Sequence, residues 1–192
     1  MSSITNGLIS IGAWAFDDCT GLTNFTIPHT VSNIGAGVFV DATNLSAIQV
    51  NTNSPYYTSA NGVLFNKNKT LLVEYPSGKS GSLTIPNSVT NLETDAFYDS
   101  GLTSLNIPGS VTGFGEDVCY GCSSLTNVTI AYGITSIGSY GFAYCVKLSS
   151  FTLPDSVTNI GAFAFADTGL TNITFRIALP ASGRWLSLPV IT

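Results

Sequence analysis

The chain has 192 residues, of which 44% are apolar and 9% are charged, and its formal net charge is −5. This composition is compatible with a packed protein and argues against bulk disorder. Six lysines and arginines spread over the chain exclude a basic footprint for nucleic acid or anionic lipid. No segment approaches the roughly 20 consecutive apolar residues of a membrane span, so we expect no membrane insertion.

The N-terminal segment MSSITNGLISIG has neither a cationic n-region nor a continuous apolar h-region, so we expect no signal peptide on this chain. The repeat pattern begins almost at once, at Leu8, which suggests a trimmed chain or a fragment of a longer array. Low charge and abundant Thr, Ser, Asn and Gly are typical of secreted surface repeats, and we expect an extracellular or cell-surface location.

The sequence repeats with a period of 23 residues, as a comparison of IGAWAFDDCTGLTNFTIP at 11–28 with IGSYGFAYCVKLSSFTLP at 137–154 shows. We call the first apolar residue of this phrase the anchor of its turn. Six turns can be aligned in this way, and their anchors are separated by 23, 58, 22, 23 and 23 residues. A period of about 20 to 29 residues with regularly placed Leu, Ile and Phe predicts a leucine-rich-repeat solenoid. The anchors are Ile11, Ile34, Leu92, Phe114, Ile137 and Ile160.

Each turn has an interior aromatic position and one short strand. Two apolar columns two residues apart, such as Phe25 and Ile27, have strand periodicity and predict a parallel sheet, which we call the strand face. A following proline such as Pro28 ends the strand. We expect short helical turns on the opposite side. The fifth place after each anchor predicts an aromatic spine of Phe16, Phe39, Phe97, Cys119, Phe142 and Phe165.

The spacing of 58 residues contains an insertion of 35 residues, which we place at about 51–81. Its apolar runs, Val63 to Phe65 and Leu71 to Tyr75, flank a polar turn and predict a β-hairpin that projects from the solenoid. Such an insert serves equally well as part of a binding face or as a stabilising flap. Residues 1–175 therefore form one solenoid domain, and residues 176–192 fit no repeat and form a divergent C-terminal cap or tail.

The phrase IGxxAFxxCxxLTxxxIPxxV, together with NSPYYTSANGVLFNKNKTLLVEYPSGK, resembles the BspA-type leucine-rich repeats of bacterial and protozoan surface proteins. The resemblance covers roughly residues 8–175. It implies the hairpin insert, extracellular or cell-surface display, and adhesion to host or neighbouring-cell macromolecules. It implies no binding residues, because that family has no motif for them. The chain departs from the family pattern at Cys119 and after Phe175.

The cysteines give no strong indication of chemistry. Cys119 and Cys122 have CxxC spacing, but the register places Cys122 in a column with Cys19 and Cys145, and Cys119 in the aromatic spine. We therefore expect buried free thiols rather than a redox or zinc site, with a Cys122–Cys145 disulfide as the alternative. Nothing orients His29, the only histidine, toward a serine and an aspartate, so we expect no catalytic triad and no enzyme.

Aspartates recur seven places after the anchors, and their carboxylates could line one edge as calcium ligands. The sequence lacks the nonapeptide calcium signature, so we interpret these residues as solvated turn residues and expect no metal or cofactor. The aspartates are Asp18, Asp41, Asp99 and Asp167.

The outward positions of the strand face are neutral and rich in hydroxyl and amide groups. Strand propensity and solubility alone would select Thr and Asn there. Alternatively, the face docks a protein or glycan through many weak hydrogen bonds. Ice binding is a third interpretation, which the interruptions at Gln49 and Asn106 disfavour. The predicted binding residues are Asn24, Thr26, Gln49, Asn106, Asn127, Thr129, Thr152, Asn172 and Thr174, with Lys67 and Lys69 on the insert.

The sequence thus predicts a non-enzymatic surface module that binds a protein or glycan through the strand face and the insert. The alternative is a structural protein, because exposed sheet edges at the ends of a repeat array can stack head to tail into filaments unless they are capped.

Overall fold

A computed structural model of the chain describes residues 7–175 and, for the backbone alone, residues 186–189. Two-residue strands lie at the six anchors: β1 (Ser10–Ile11), β3 (Asn33–Ile34), β9 (Asn91–Leu92), β11 (Gly113–Phe114), β13 (Ser136–Ile137) and β15 (Asn159–Ile160). The longer strands are β2 (Asn24–Ile27), β4 (Ala47–Val50), β8 (Ser80–Thr84), β10 (Gly101–Ile107), β12 (Asn127–Ile130), β14 (Ser150–Leu153), β16 (Asn172–Phe175) and β17 (Leu186–Pro189). The insert contains β5 (Tyr57–Ala60), β6 (Val63–Asn66) and β7 (Leu71–Glu74).

The predicted strand face is built from parallel ladders. β2 pairs with β4, β10 pairs with both β8 and β12, and β14 pairs with β16, all in parallel. In β2 the two predicted apolar columns point inward: Phe25 and Ile27 are 3% and 0% exposed, while Asn24 before them and Thr26 between them are exposed. The period-2 pattern therefore sets both the register and the buried side of the sheet.

The aromatic spine runs through the core. Phe39, Phe97 and Phe142 are fully buried. Phe16 stacks on Phe39 with ring centroids 5.4 Å apart, and Phe142 stacks on Phe165 at 5.7 Å. Stacked aromatic pairs contribute about 0.5–1.5 kcal/mol beyond the area that they bury, so the spine links the turns along the solenoid axis.

The expected short helical turns are wrong: the residues after each anchor form tight turns, and no helix occurs within residues 7–175. The reason is the backbone at the third and seventh places after the anchor, which has positive φ in most turns. Two left-handed residues four places apart interrupt the run of right-handed residues that an α-helix needs. The amides bond to the next turn instead, as Phe16 N does to Val38 O at 2.9 Å. The left-handed residues are Trp14, Asp18, Gly37, Asp41, Asp95, Asp99, Asp117, Gly121, Tyr140, Tyr144, Phe163 and Asp167.

The prediction of six turns is too low. Leu72 in β7 pairs in parallel with Leu92, so it occupies an anchor position inside the insert. The ring of Tyr75 then packs on Phe97 with centroids 5.6 Å apart, which extends the spine. Within residues 7–175, β8 brings the strands of the strand face from β2 to β16 to seven, one more than predicted, in a solenoid of about eight turns.

The insert is part of the solenoid wall and does not project from it. β6 pairs antiparallel with β5 and, across the predicted polar turn, with β7, and β7 continues in parallel to β9. β6 is buried on both sides. Val63 and Phe65 pack in the larger hydrophobic cluster, and Leu64 packs in the smaller N-terminal one. The segment therefore joins two parts of the core.

At the C-terminal end, β17 pairs antiparallel with β16, with Ile173 opposite Leu188. The rest of the predicted cap or tail, residues 176–185 and 190–192, lies outside the described residues. The described residues form no helix that could span a lipid bilayer.

Candidate binding surface

The outward side chains of the strand face form aligned polar rungs. Thr26 lies opposite Gln49, Asn106 opposite Thr129, and Thr152 opposite Thr174. These positions are exposed, except for Thr174, which is half-buried. The rungs carry hydroxyl and amide groups and no charge, so the face can donate and accept hydrogen bonds without attracting ions.

A first groove of about 350 Å³ lies between β12 and β14. These two strands are neighbours that do not pair in one ladder, so the strand face is interrupted between them. On one side of the groove, Thr129 Oγ1 donates to Asn106 Oδ1 at 2.9 Å, and Asn127 Nδ2 donates to Ser104 Oγ at 3.3 Å. The side chains are thereby held in fixed orientations. The lining residues are Asn106, Asn127, Val128, Thr129, Ile130, Ala131, Ser150, Phe151 and Thr152.

A second groove of about 330 Å³ lies where the insert meets the strand face. Gln49 contributes from β4, and Tyr57 and Lys67 contribute from the insert. The Lys67 ammonium donates to the backbone carbonyl of Ser54, which holds this cation beside the groove. Burial raises the pKa of Tyr57, so its hydroxyl remains protonated and donates to Ser32 O at 3.5 Å. This groove combines neutral donors and acceptors with one positive charge.

The grooves contain six of the eleven predicted binding residues: Gln49, Asn106, Asn127, Thr129, Thr152 and Lys67. The predicted residues outside them are Asn24 and Thr26 on β2, Asn172 and Thr174 on β16, and Lys69 in the turn after β6. Sequence reasoning did not select Tyr57, Ser59 or Ser150. Ser150 belongs to the same outward column as Asn127, so the repeat register offered a signal for it, whereas the position of Tyr57 depends on how the insert folds.

Three of the four cysteines lie in the core rather than on this surface. Cys119, Cys122 and Cys145 are buried free thiols. Cys122 Sγ donates to Phe97 O at 3.0 Å and Cys145 Sγ to Cys119 O at 3.2 Å, so each thiol is bound to the preceding turn. Burial raises the pKa of Cys119 and of Cys145, which keeps both protonated at neutral pH. In residues 7–175 no group of three His, Cys, Asp or Glu side chains is placed to hold a metal ion.

Stacked short turns, parallel ladders and an interior aromatic spine define a leucine-rich-repeat β-solenoid. The family model for the BspA type leucine rich repeat region matches residues 2–71 and 75–182, in six copies. The chain belongs to this family. A search of curated proteins gives no significant match.

Solved structures similar to this chain include two bacterial proteins. The pneumococcal vaccine antigen PcpA is 26% identical with a TM-score of 0.83, over 90% of this chain and 44% of that one. A leucine-rich cell surface protein of Faecalibacterium prausnitzii is 32% identical with a TM-score of 0.78, over 86% of this chain and 45% of that one. This chain thus spans less than half the length of either protein. Neither the family description nor these names denotes an enzyme.

Proposed function

We propose that the chain is a non-enzymatic binding module of a cell-surface or secreted protein, and that it recognises a protein or glycan through the strand face and the insert. The description of one structural relative as a cell surface protein and of another as a vaccine antigen supports extracellular display. Because the chain covers less than half of each relative, this assignment concerns the module alone.

The first groove is the observation that carries the proposal. It brings Asn106, Asn127 and Thr129 of one ladder close to Thr152 of the next, with hydrogen-bonding groups and no charge. Such a surface suits neutral polar ligands, for which each contact is weak and several contacts together give useful affinity. The second groove extends the contact surface toward the insert.

The alternative function, head-to-tail stacking into filaments, has less support. A stacked copy would extend the parallel ladder at the outer edge of β16, and β17 already pairs with that edge in the antiparallel direction. An antiparallel strand interrupts the parallel repeat. We therefore propose that residues 176–192 act as a cap.

To test the binding proposal, the chain is applied to an array of extracellular-matrix proteins and glycans. In a Thr129→Lys and Thr152→Lys double variant, two ammonium groups project into the first groove, and we expect capture to fall about tenfold or more. The control is Thr112→Lys, at an exposed threonine outside both grooves.

Equal capture by the double variant and the control would remove the strand face from the proposal. Concentration-dependent fibres in sedimentation and electron microscopy, lost when residues 176–192 are altered, would favour the structural alternative instead.

A further inference from the structure

A second surface, separate from the strand face, carries five adjoining aromatic side chains on the turn segments. Tyr98 stacks on Tyr120 with ring centroids 4.8 Å apart, and Tyr120 contacts Tyr144 at 5.0 Å. Tyr120 also lies 6.4 Å from Tyr140, which stacks on Phe163 at 5.1 Å. We call these residues the aromatic ladder. They lie on four consecutive turns and span about 14 Å, the length of four or five residues of an extended peptide.

Three of the five ladder residues are exposed to solvent, and Tyr98 and Tyr120 are partly buried. Phe163 is 63% exposed, Tyr144 is 43% and Tyr140 is 37%. These three residues also occupy left-handed turn positions, with φ between 53° and 58°. Bulky side chains are unfavourable in this backbone conformation. Asp95 and Asp117 make the same turn in neighbouring repeats, so the turn itself does not require an aromatic residue. Neither core packing nor turn formation explains the ladder.

Carboxylates lie near Tyr98 and Tyr120, at the N-terminal end of the ladder. The pKa of Tyr98 is raised, first by burial, next by Asp99, and then by Tyr120, Asp41 and Asp117. The pKa of Tyr120 is likewise raised, first by burial and then by Tyr144, Asp99 and Asp117. The Asp99 carboxylate lies against the backbone of Gly121. A Cβ atom on residue 121 would overlap the Oδ1 atom of Asp99. None of the electrostatic neighbours that shift these two tyrosines is a cation.

We propose that the aromatic ladder binds a basic peptide segment of a protein partner, with arginine or lysine side chains over the ring faces and beside the carboxylates. Ring faces and carboxylates both attract cations, and guanidinium groups stack on tyrosine. A neutral glycan would use the ring faces but would gain little from the surrounding negative charge. The whole chain carries more acidic than basic residues, and this net negative charge also attracts a basic partner. This site is additional to the strand face and does not depend on it.

The probe is a labelled eight-residue peptide of alternating arginine and glycine, titrated into the full chain and followed by fluorescence anisotropy. We expect saturable binding that weakens as salt is added. A peptide with citrulline in place of arginine keeps the shape without the charge and should bind at least tenfold more weakly. The Tyr140→Asn and Phe163→Asn double variant should also lose about tenfold in affinity, because it removes two ring faces. Asparagine tolerates the left-handed backbone, so these substitutions keep the turns.

The matched control is Tyr56→Asn with Tyr132→Asn, which removes two exposed tyrosines outside the ladder and should leave peptide binding unchanged. Equal binding of the arginine and citrulline peptides would overturn the proposal, as would equal loss in the two double variants. If a chitin hexasaccharide bound to the wild type but not to the ladder variant, and the arginine peptide did not bind, the ligand of the ladder would be a glycan and not a basic peptide.

Discussion

At the scale of single residues, the recurring aspartates are explained by backbone conformation. Asp18, Asp41, Asp99 and Asp167 have φ between 47° and 54°. Asp and Asn adopt the left-handed region more readily than other residues with a side chain. Gly121 replaces Asp at the same place in another turn with φ of 69°, which fits a requirement for left-handed backbone rather than for a metal ligand.

Asp18 is exposed and provides a direct test. We expect Asp18→Asn to leave the free energy of unfolding nearly unchanged, because asparagine tolerates positive φ. Asp18→Ala should lower it by about 1 kcal/mol. Urea unfolding measures both variants. Calcium should not shift the midpoint of the wild-type chain; an increase that Asp18→Asn abolished would instead indicate a calcium site.

At the scale of elements, the defect in the spine at Cys119 coincides with an unusual anchor. Phe114 stands where the other anchors are Ile or Leu, and its ring packs 5.5 Å from that of Phe142, the next spine residue. Cys119 is fully buried one turn before Phe142. We infer that the Phe114 ring fills the volume that a spine phenylalanine would otherwise occupy, so the two departures compensate each other.

This compensation predicts a non-additive pair of substitutions. Cys119→Phe alone should overpack this part of the core and lower the free energy of unfolding by about 1–3 kcal/mol. Phe114→Ile alone should also destabilise the fold, because it removes ring contacts. The double variant restores the usual repeat and should be more stable than the sum of the two effects predicts. Additive losses in a double-mutant cycle would contradict the inferred compensation.

The elements also show what the repeat sequence could predict. Columns such as Phe25 with Ile27 depend only on local spacing, and they gave the strands, their register and the buried face. The turn anchored at Leu72 was missed because it lies 38 residues after Ile34 and 20 before Leu92, far from the usual period. The first groove has no sequence signal: NVTI in β12 and SFTL in β14 are ordinary repeat strands, and their failure to pair depends on the packing of successive turns.

At the scale of the whole molecule, buried acidic groups lie near the join between the two hydrophobic clusters. Glu74, in β7, is 1% exposed, and its Oε1 atom has no hydrogen-bond partner among the described residues. Burial, and then Asp95, raise the pKa of Glu74 well above its usual value. Burial, and then Asp117 and Glu93, raise the pKa of Asp95 to about 6. Burial and Asp41 raise that of Asp99 to about 6 as well.

These shifts predict that the fold is more stable in mild acid than at neutral pH. A carboxyl whose pKa is higher in the folded state binds more protons there, so the free energy of unfolding falls as pH rises from the unfolded pKa through the folded one. For Asp95 and Asp99 this range runs from about 4 to about 6, and for Glu74 it extends higher. Urea midpoints should therefore be higher at about pH 4.5 than at about pH 7.5.

Glu74→Gln isolates the largest contribution. The amide is neutral at both pH values, so the variant should gain about 1–2 kcal/mol over the wild type at about pH 7.5 and little at about pH 4.5. The exposed Asp18→Asn variant is the control, because it removes a carboxylate that is already solvated and should leave the pH dependence in place. If the wild type and Glu74→Gln gave parallel curves, Glu74 would be ionised equally in both states, and its burial in β7 would not control the response to pH.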